Sequence, residues 1–281
     1  MSIDSWSVII LDDRPIGVFD SGLGGLAAVR ALRALLPGED VIYLGDTGRV
    51  PYGGRSRETI VRYALEDTSF LLRRNVKAIL IACGTVSSNA VSEVRKAAGG
   101  IPVTGTVEPT AKAAADLSRG GRIGVIATAA TIRSGAMGRA VLSLRPKAEI
   151  LEKACPLFVP LVEDGRVQPG EPLITLCARE YLEPLRDAGV DTLILGCTHY
   201  PLISAVISSI MGPDVTLVDS AAAAAGAIAA ALREKDMSAS KTDGGRQQYF
   251  VTDSTERFSA VASLFLGANV DGAVQRVDIT D

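Results

Sequence analysis

The chain has one histidine, four cysteines and few aromatic residues, 5% of its 281. Each scarcity excludes something. Cys83, Cys155, Cys177 and Cys197 are far apart and form no C-x-x-C pair, so with a lone histidine no zinc-ligand spacing exists. A chain of this length does not depend on a disulfide framework, and scattered single cysteines fit a reducing compartment. No apolar run reaches the roughly 18 residues that a membrane-spanning helix requires. The N-terminal stretch MSIDSWSVIILDDRP lacks a basic start and carries acids directly after its short apolar run, unlike a secretory leader. An excess of one charge is missing too. The net charge is −3, which gives nucleic acid or an anionic membrane surface nothing to attract. What remains is the profile of a cytoplasmic globular protein, 47% hydrophobic and 22% charged, with length for two modest domains.

What is present is a repeated pattern. Short β-branched runs recur, each followed by a turn and an Ala/Leu-rich segment: PIGVFDSG, DVIYLGDT, AILIACGT, IPVTGT, RIGVIATA, TLILGCTH and VTLVDS. Strand, loop, helix, strand is the signature of a parallel sheet covered on both faces, and the unbroken apolar runs suit strands buried on both sides. Such sheets bind ligands at the carboxyl ends of their strands. Attention therefore falls on Asp20, Ser21, Asp46, Cys83, Thr85, Thr128, Cys197, Thr198 and Asp219. A faint internal repeat is also visible. RIGVIATAATIRSG resembles PIGVFDSGLGG, and the two cysteine stretches resemble each other at a nearly equal separation. The expectation is an α/β protein with two similar doubly wound parallel-sheet domains. The first spans 14–106 plus 217–281 and carries Cys83; the second spans 107–216 and carries Cys197. A ligand site is expected in the cleft between them. After Ala221 come an alanine-rich helix, the polar stretch EKDMSASKTDGGRQQ, a last strand YFVTD and a helix STERFSAVASLFLG, which return to the first domain.

Isolated cysteine is usually a small buried hydrophobe, the reading given to Cys155 and Cys177. Cys83 and Cys197 differ because each ends a strand and precedes small polar residues. A thiol must ionise to act as base or nucleophile, and an adjacent helix N-terminus lowers its pKa from about 8.5. Two such thiols form the minimal machinery for inverting a stereocentre: one removes a proton from a carbon and the other protonates the opposite face. Asp20, read alone, is a helix N-cap or a carboxylate that shuttles a proton for Cys83. His199 lies two residues after Cys197, and an imidazole suits proton exchange with a thiol. GLGGLA, Gly22 to Ala27, matches a dinucleotide fingerprint, but Asp20 at the loop mouth would repel a pyrophosphate.

Together these residues resemble the cofactor-independent glutamate racemases of bacterial cell-wall synthesis, within the aspartate/glutamate racemase family. The likeness runs from about Pro15 to Leu266 and is carried by IGVFDSGLGGL, YLGDTGRVPYG, IACGTVSS, ATIRSGAM, ACPLFVPLVEDG and LGCTHYPLI. The resemblance implies two α/β domains related by a pseudo-twofold axis. It implies Cys83 and Cys197 as the catalytic thiols, Asp20 supporting the first, and Glu163 and His199 supporting the second. Substrate contacts are expected from Asp20, Ser21, Tyr52, Gly53, Gly84, Thr85, Thr128, Thr198 and His199. No metal, pyridoxal phosphate or nucleotide is implied. The implied substrate is glutamate, the product D-glutamate for peptidoglycan, and the assembly a homodimer. One departure stands out. Where the family usually reads C-N-T-A, this chain reads CGTV, Cys83 to Val86. The expectation is that glycine leaves room for a water, or that Ser87, Ser88 or Asn89 replaces the missing amide. Racemases for aspartate or hydantoins, a one-cysteine decarboxylase and a catalytically impaired glutamate-binding homologue are the rival readings.

Overall fold

The computed structural model describes residues 11–241, 244–270 and 274–279. Residues 1–10, most of the stretch weighed as a leader, and residues 242–243 of the polar connection lie outside the described residues. In chain order the elements are β1 (Ile16–Asp20), α1 (Leu26–Leu35), β2 (Val41–Gly45), α2 (Arg57–Leu72), β3 (Ala78–Ile81), α3 (Gly84–Ala97), β4 (Val103–Thr104), α4 (Val107–Leu117), β5 (Arg122–Ala127), α5 (Ala129–Ser134), α6 (Ala136–Leu144), β6 (Glu149–Ala154), α7 (Phe158–Glu163), α8 (Pro172–Asp187), β7 (Thr192–Leu195), α9 (Ser204–Met211), β8 (Thr216–Asp219), α10 (Ser220–Glu234), β9 (Gln247–Val251), α11 (Thr255–Leu266) and β10 (Val274–Arg276).

The strands form two sheets, ordered β10-β9-β2-β1-β3-β4 and β6-β5-β7-β8. Every pairing is parallel. The central strands β1, β2, β3 and β7 are buried along their whole length, whereas the edge strands β4, β6 and β10 are not. This division explains why the central strands read as unbroken apolar runs and the edge strands β6 and β10 did not. The faint repeat is a topological one. β2-β1-β3-β4 and β6-β5-β7-β8 have the same order, so β1 corresponds to β5 and β3 to β7. The expected return of the tail also appears: β9 pairs with β2 and extends the first sheet. β10, which pairs with β9, had no signal in the sequence because it is three residues long with exposed side chains. The expected domain boundary at 216–217 cuts β8 itself. Pairing of β8 with β7 moves that crossing to α10.

α10 joins the two halves. It is SAAAAAGAIAAALRE, and its small side chains let it lie closely against both α1 and α4. Asp219 caps it, its Oδ1 accepting the Ala221 and Ala222 N–H groups at 2.8 and 3.3 Å. That capping role accounts for Asp219 at a strand end. Among the described residues no helix is long and apolar enough to cross a membrane.

Candidate active site

Cys83 and Cys197 leave equivalent strands, β3 and β7, at their carboxyl ends. Both line one cavity of about 520 Å3. It also takes in Ser21, Tyr52, Gly53, Gly84, Thr85, Thr128, Glu163, Thr198 and His199. Of the residues expected to act on or bind substrate, Asp20 alone is not in its wall; it adjoins Ser21 in the chain and is 1% exposed. Sequence reasoning missed the apolar side of the cavity, formed by Val50, Pro51, Pro156, Val159 and Pro160. These residues carry no reactive group, so only their position reveals them. Cys155 also reaches this wall, but its thiol is fully buried and lies 3.7 Å from the Lys153 carbonyl. Among the described residues no group of three His, Cys, Asp or Glu side chains could hold a metal ion.

Cys83 is the N-cap of α3, a helix of 14 residues. Its thiol donates to Ser21 Oγ at 3.4 Å. Burial pushes this thiol up, the charge of Asp20 pushes it further, and together they outweigh the Ser21 hydroxyl and the Val86 and Ser21 N–H groups to bring it to about 12. Asp20 does not cap α1, whose N-cap is Gly25. Its Oδ2 accepts the Gly22 N–H at 3.0 Å, and its Oδ1 is buried without a hydrogen-bond partner. Burial raises this carboxyl, against the opposing charge of His199 and the turn N–H groups.

Cys197 has different company. The chain after it forms a 3-10 turn over Tyr200–Ile203 rather than the expected α-helix start, and α9 begins only at Ser204. What serves the thiol is a side-chain relay. His199 Nδ1 lies 3.8 Å from Cys197 Sγ, and Nε2 lies 3.1 Å from Glu163 Oε1. Burial disfavours the imidazolium, but the hydrogen bonds to Cys197 and Glu163 and the nearby negative charges lift His199 to about 10. Phe265, from α11, stands edge-on to the ring at 5.3 Å and fixes its plane. Glu163, which the resemblance assigns to the support of the second thiol, ends α7 and lines the cleft.

The model of the Asp/Glu/Hydantoin racemase family matches residues 26–228. The chain belongs to this family. A glutamate racemase of Geobacter metallireducens is 45% identical, over 93% of this chain and 96% of that protein. The Francisella tularensis glutamate racemase, solved in complex with D-glutamate, superposes with a TM-score of 0.88 at 38% identity, covering 96% of this chain and 99% of that one. The Thermus thermophilus glutamate racemase, solved with beta-chloro-D-alanine, gives 0.83 at 44% identity, covering 94% and 97%.

Two features are this family member's own to explain. Tyr52 lines the cleft, but its hydroxyl turns away and donates to Asp46, with Asp67 Oδ2 at 3.4 Å. Arg49 joins the same cluster: it binds Asp46 at 2.5 Å, Asp67 at 3.2 Å and Glu66, and lies over the Tyr63 ring at 4.1 Å. Burial, and then the charge of Asp46, hold Asp67 well above the usual carboxylate range. Asp46, which the strand-end rule suggested for ligand binding, is thus a buried anchor for the 50–54 loop. The second feature is position 84. Glycine leaves no room there, contrary to expectation: a Cβ on Gly84 would run into the Gly196 carbonyl oxygen. Nor does a neighbour supply an amide. Ser87 Oγ accepts the Thr106 and Val107 N–H groups, Ser88 donates to the Gly84 and Thr85 carbonyls, and Asn89 donates to the Thr85 carbonyl.

Proposed function

We propose that the protein is a glutamate racemase that works through two thiols. The observation that carries this reading is the placement of Cys83 and Cys197 at equivalent strand ends of two sheets, both lining one cavity. In the L-to-D direction the Cys197 thiolate takes the α-proton, and the electron pair left on the α-carbon spreads into the α-carboxylate. The Cys83 thiol gives its proton to the opposite face and becomes the thiolate. The reverse direction begins from that state. The surroundings of the two thiols support this assignment: a Cys83 thiol held at about 12 is an acid at neutral pH, while Cys197 faces His199, the group placed to exchange a proton with it. The hydroxyls of Thr85, Thr128 and Thr198, all at the cavity, suit the negative charge that builds on the carboxylate. The unpartnered Oδ1 of Asp20 suits the substrate ammonium or the proton of Cys83. Family resemblance implies no cofactor, and this scheme uses none. It extends to D-glutamate supply for peptidoglycan by a cytoplasmic homodimer, the last point checked by sedimentation.

The test is proton NMR with L-glutamate in D2O and chiral analysis of the product. Loss of the α-proton signal with appearance of D-glutamate, absent in Cys83→Ala and Cys197→Ala, is the expected result. Absence of exchange on glutamate, with exchange on aspartate, would transfer the reading to the aspartate rival.

A further inference from the structure

The first half of the molecule meets the second around the cavity through bare α-carbons. A Cβ on Gly24 would overlap Thr198 Oγ1 and stand 2.7 Å from His199 Nδ1; one on Gly53 would stand 2.9 Å from Thr128 Cβ. Gly84 is the most constrained of the three, because its neighbour is backbone. The Gly196 carbonyl is main chain and yields less readily than a side-chain end, and Gly196 itself is tied to the second sheet by its N–H, bonded to the Ile126 carbonyl at 2.8 Å. Gly84 follows Cys83 directly, and Gly196 precedes Cys197 directly. The contact between them therefore sits between the two thiols' own backbones. Beside it, Thr85 Oγ1 and Thr128 Oγ1 bridge the halves at 2.9 Å.

We propose that Gly84 is a positioning residue that sets the aperture of the cleft: its bare α-carbon against the Gly196 carbonyl holds Cys83 and Cys197 at the separation needed to reach opposite faces of one carbon. This rests on the two-thiol reading and adds to it. With the two backbones as close as they are in this chain, a side chain at position 84 is a wedge. It parts the thiols, and proton transfer is steeply sensitive to such displacement, about 1 Å costing as much as 10²-fold. The alternative is that position 84 is an emptied amide subsite, in which case asparagine restores binding and alanine changes nothing.

Gly84→Ala and Gly84→Asn separate the two. On glutamate in D2O we expect kcat to fall about tenfold for alanine and further for asparagine, with KM changed less. The ratio of α-proton exchange to inversion should rise severalfold, because a carbanion made by one thiol is no longer within reach of the other. That ratio does not depend on the fraction of folded enzyme. A readout without substrate accompanies it. Cys83 and Cys197 are 5% and 7% exposed, so parting the halves should speed iodoacetamide labelling of both, read by peptide mass spectrometry against Cys177, which lies outside the cleft. Faster labelling of Cys177 as well would mark general loosening and overturn the proposal. So would a Gly84→Asn enzyme that binds glutamate more tightly, or a Gly84→Ala enzyme with unchanged ratio and labelling. Should the wild type leave glutamate untouched, the functional reading fails by itself and the labelling still decides the role of Gly84.

Discussion

Cys83 and Cys197 occupy corresponding places in two copies of one strand arrangement, yet their surroundings are opposite in sign. The Cys83 thiol sits at the start of a long helix, but burial and then the charge of the Asp20 carboxylate outweigh the helix: the thiol is held protonated. Cys197 sits before a short 3-10 turn, beside an imidazole that hydrogen bonds to Cys197 and Glu163 hold charged against its burial. A repeated scaffold supplies matching positions; it does not supply matching electrostatics. This matters for a reaction whose two directions are mirror images. L- and D-glutamate have equal free energies in water, so kcat/KM must be the same in both directions whatever the thiols' pKa values. Asymmetry between the thiols can appear only in kcat and KM taken separately.

The largest effect comes from removing either thiol. Cys83→Ala and Cys197→Ala should each lower racemisation by about 10³-fold or more, since each removes an acid–base group from both directions. Partial α-proton exchange retained by only one of them would identify which thiol attacks a given enantiomer. Next come the supports of Cys197. His199→Asn should lower kcat by roughly 10²-fold and Glu163→Gln by less, measured in both directions. His199 also makes a pH prediction for stability. Its folded pKa, about 10, is above the ordinary 6.5, so its contribution is complete below about 6.5 and is lost as pH rises through about 10. The margin of wild type over His199→Asn in urea titrations should therefore shrink across that range. A margin that grows with pH would contradict a charged His199.

Asp20→Asn sharpens the comparison from the other side. Without the neighbouring carboxylate, Cys83 should ionise at lower pH, and its alkylation at pH 9 should quicken about tenfold for each pKa unit recovered, with Cys197 unaffected. The smallest effect on turnover is expected at the loop anchor. Arg49→Lys keeps the charge but loses the planar fork that reaches several carboxylates; KM should rise a few-fold, to about three to ten times, with kcat nearly unchanged. Arg49→Met leaves Asp46 and Asp67 buried without their cation, at a cost of roughly 3 kcal/mol or more in stability.

Fold class and the candidate reactive groups were legible along the chain. Unbroken apolar runs mark β1, β2, β3, β5 and β7 because those strands are buried on both faces, and the residues just beyond them are the chemistry-bearing ones because chain reversals leave strand ends open to the cleft. Cys83, Cys197 and Thr85 were legible on that rule, and His199 by its place two residues after Cys197. Tertiary structure alone decided how they are used. Nothing local tells that Asp46 is a buried anchor while Asp20 is left with a spare oxygen, that Phe265 from the far end of the chain steadies His199, or that Ser21 serves Cys83. The same holds for Gly84. In sequence a glycine reads as space, and in the folded chain it is a point of contact. The reason is physical: strand burial and turn chemistry act between near neighbours, whereas desolvation, pairing of charges and the approach of two backbones depend on segments a hundred residues apart arriving at one place.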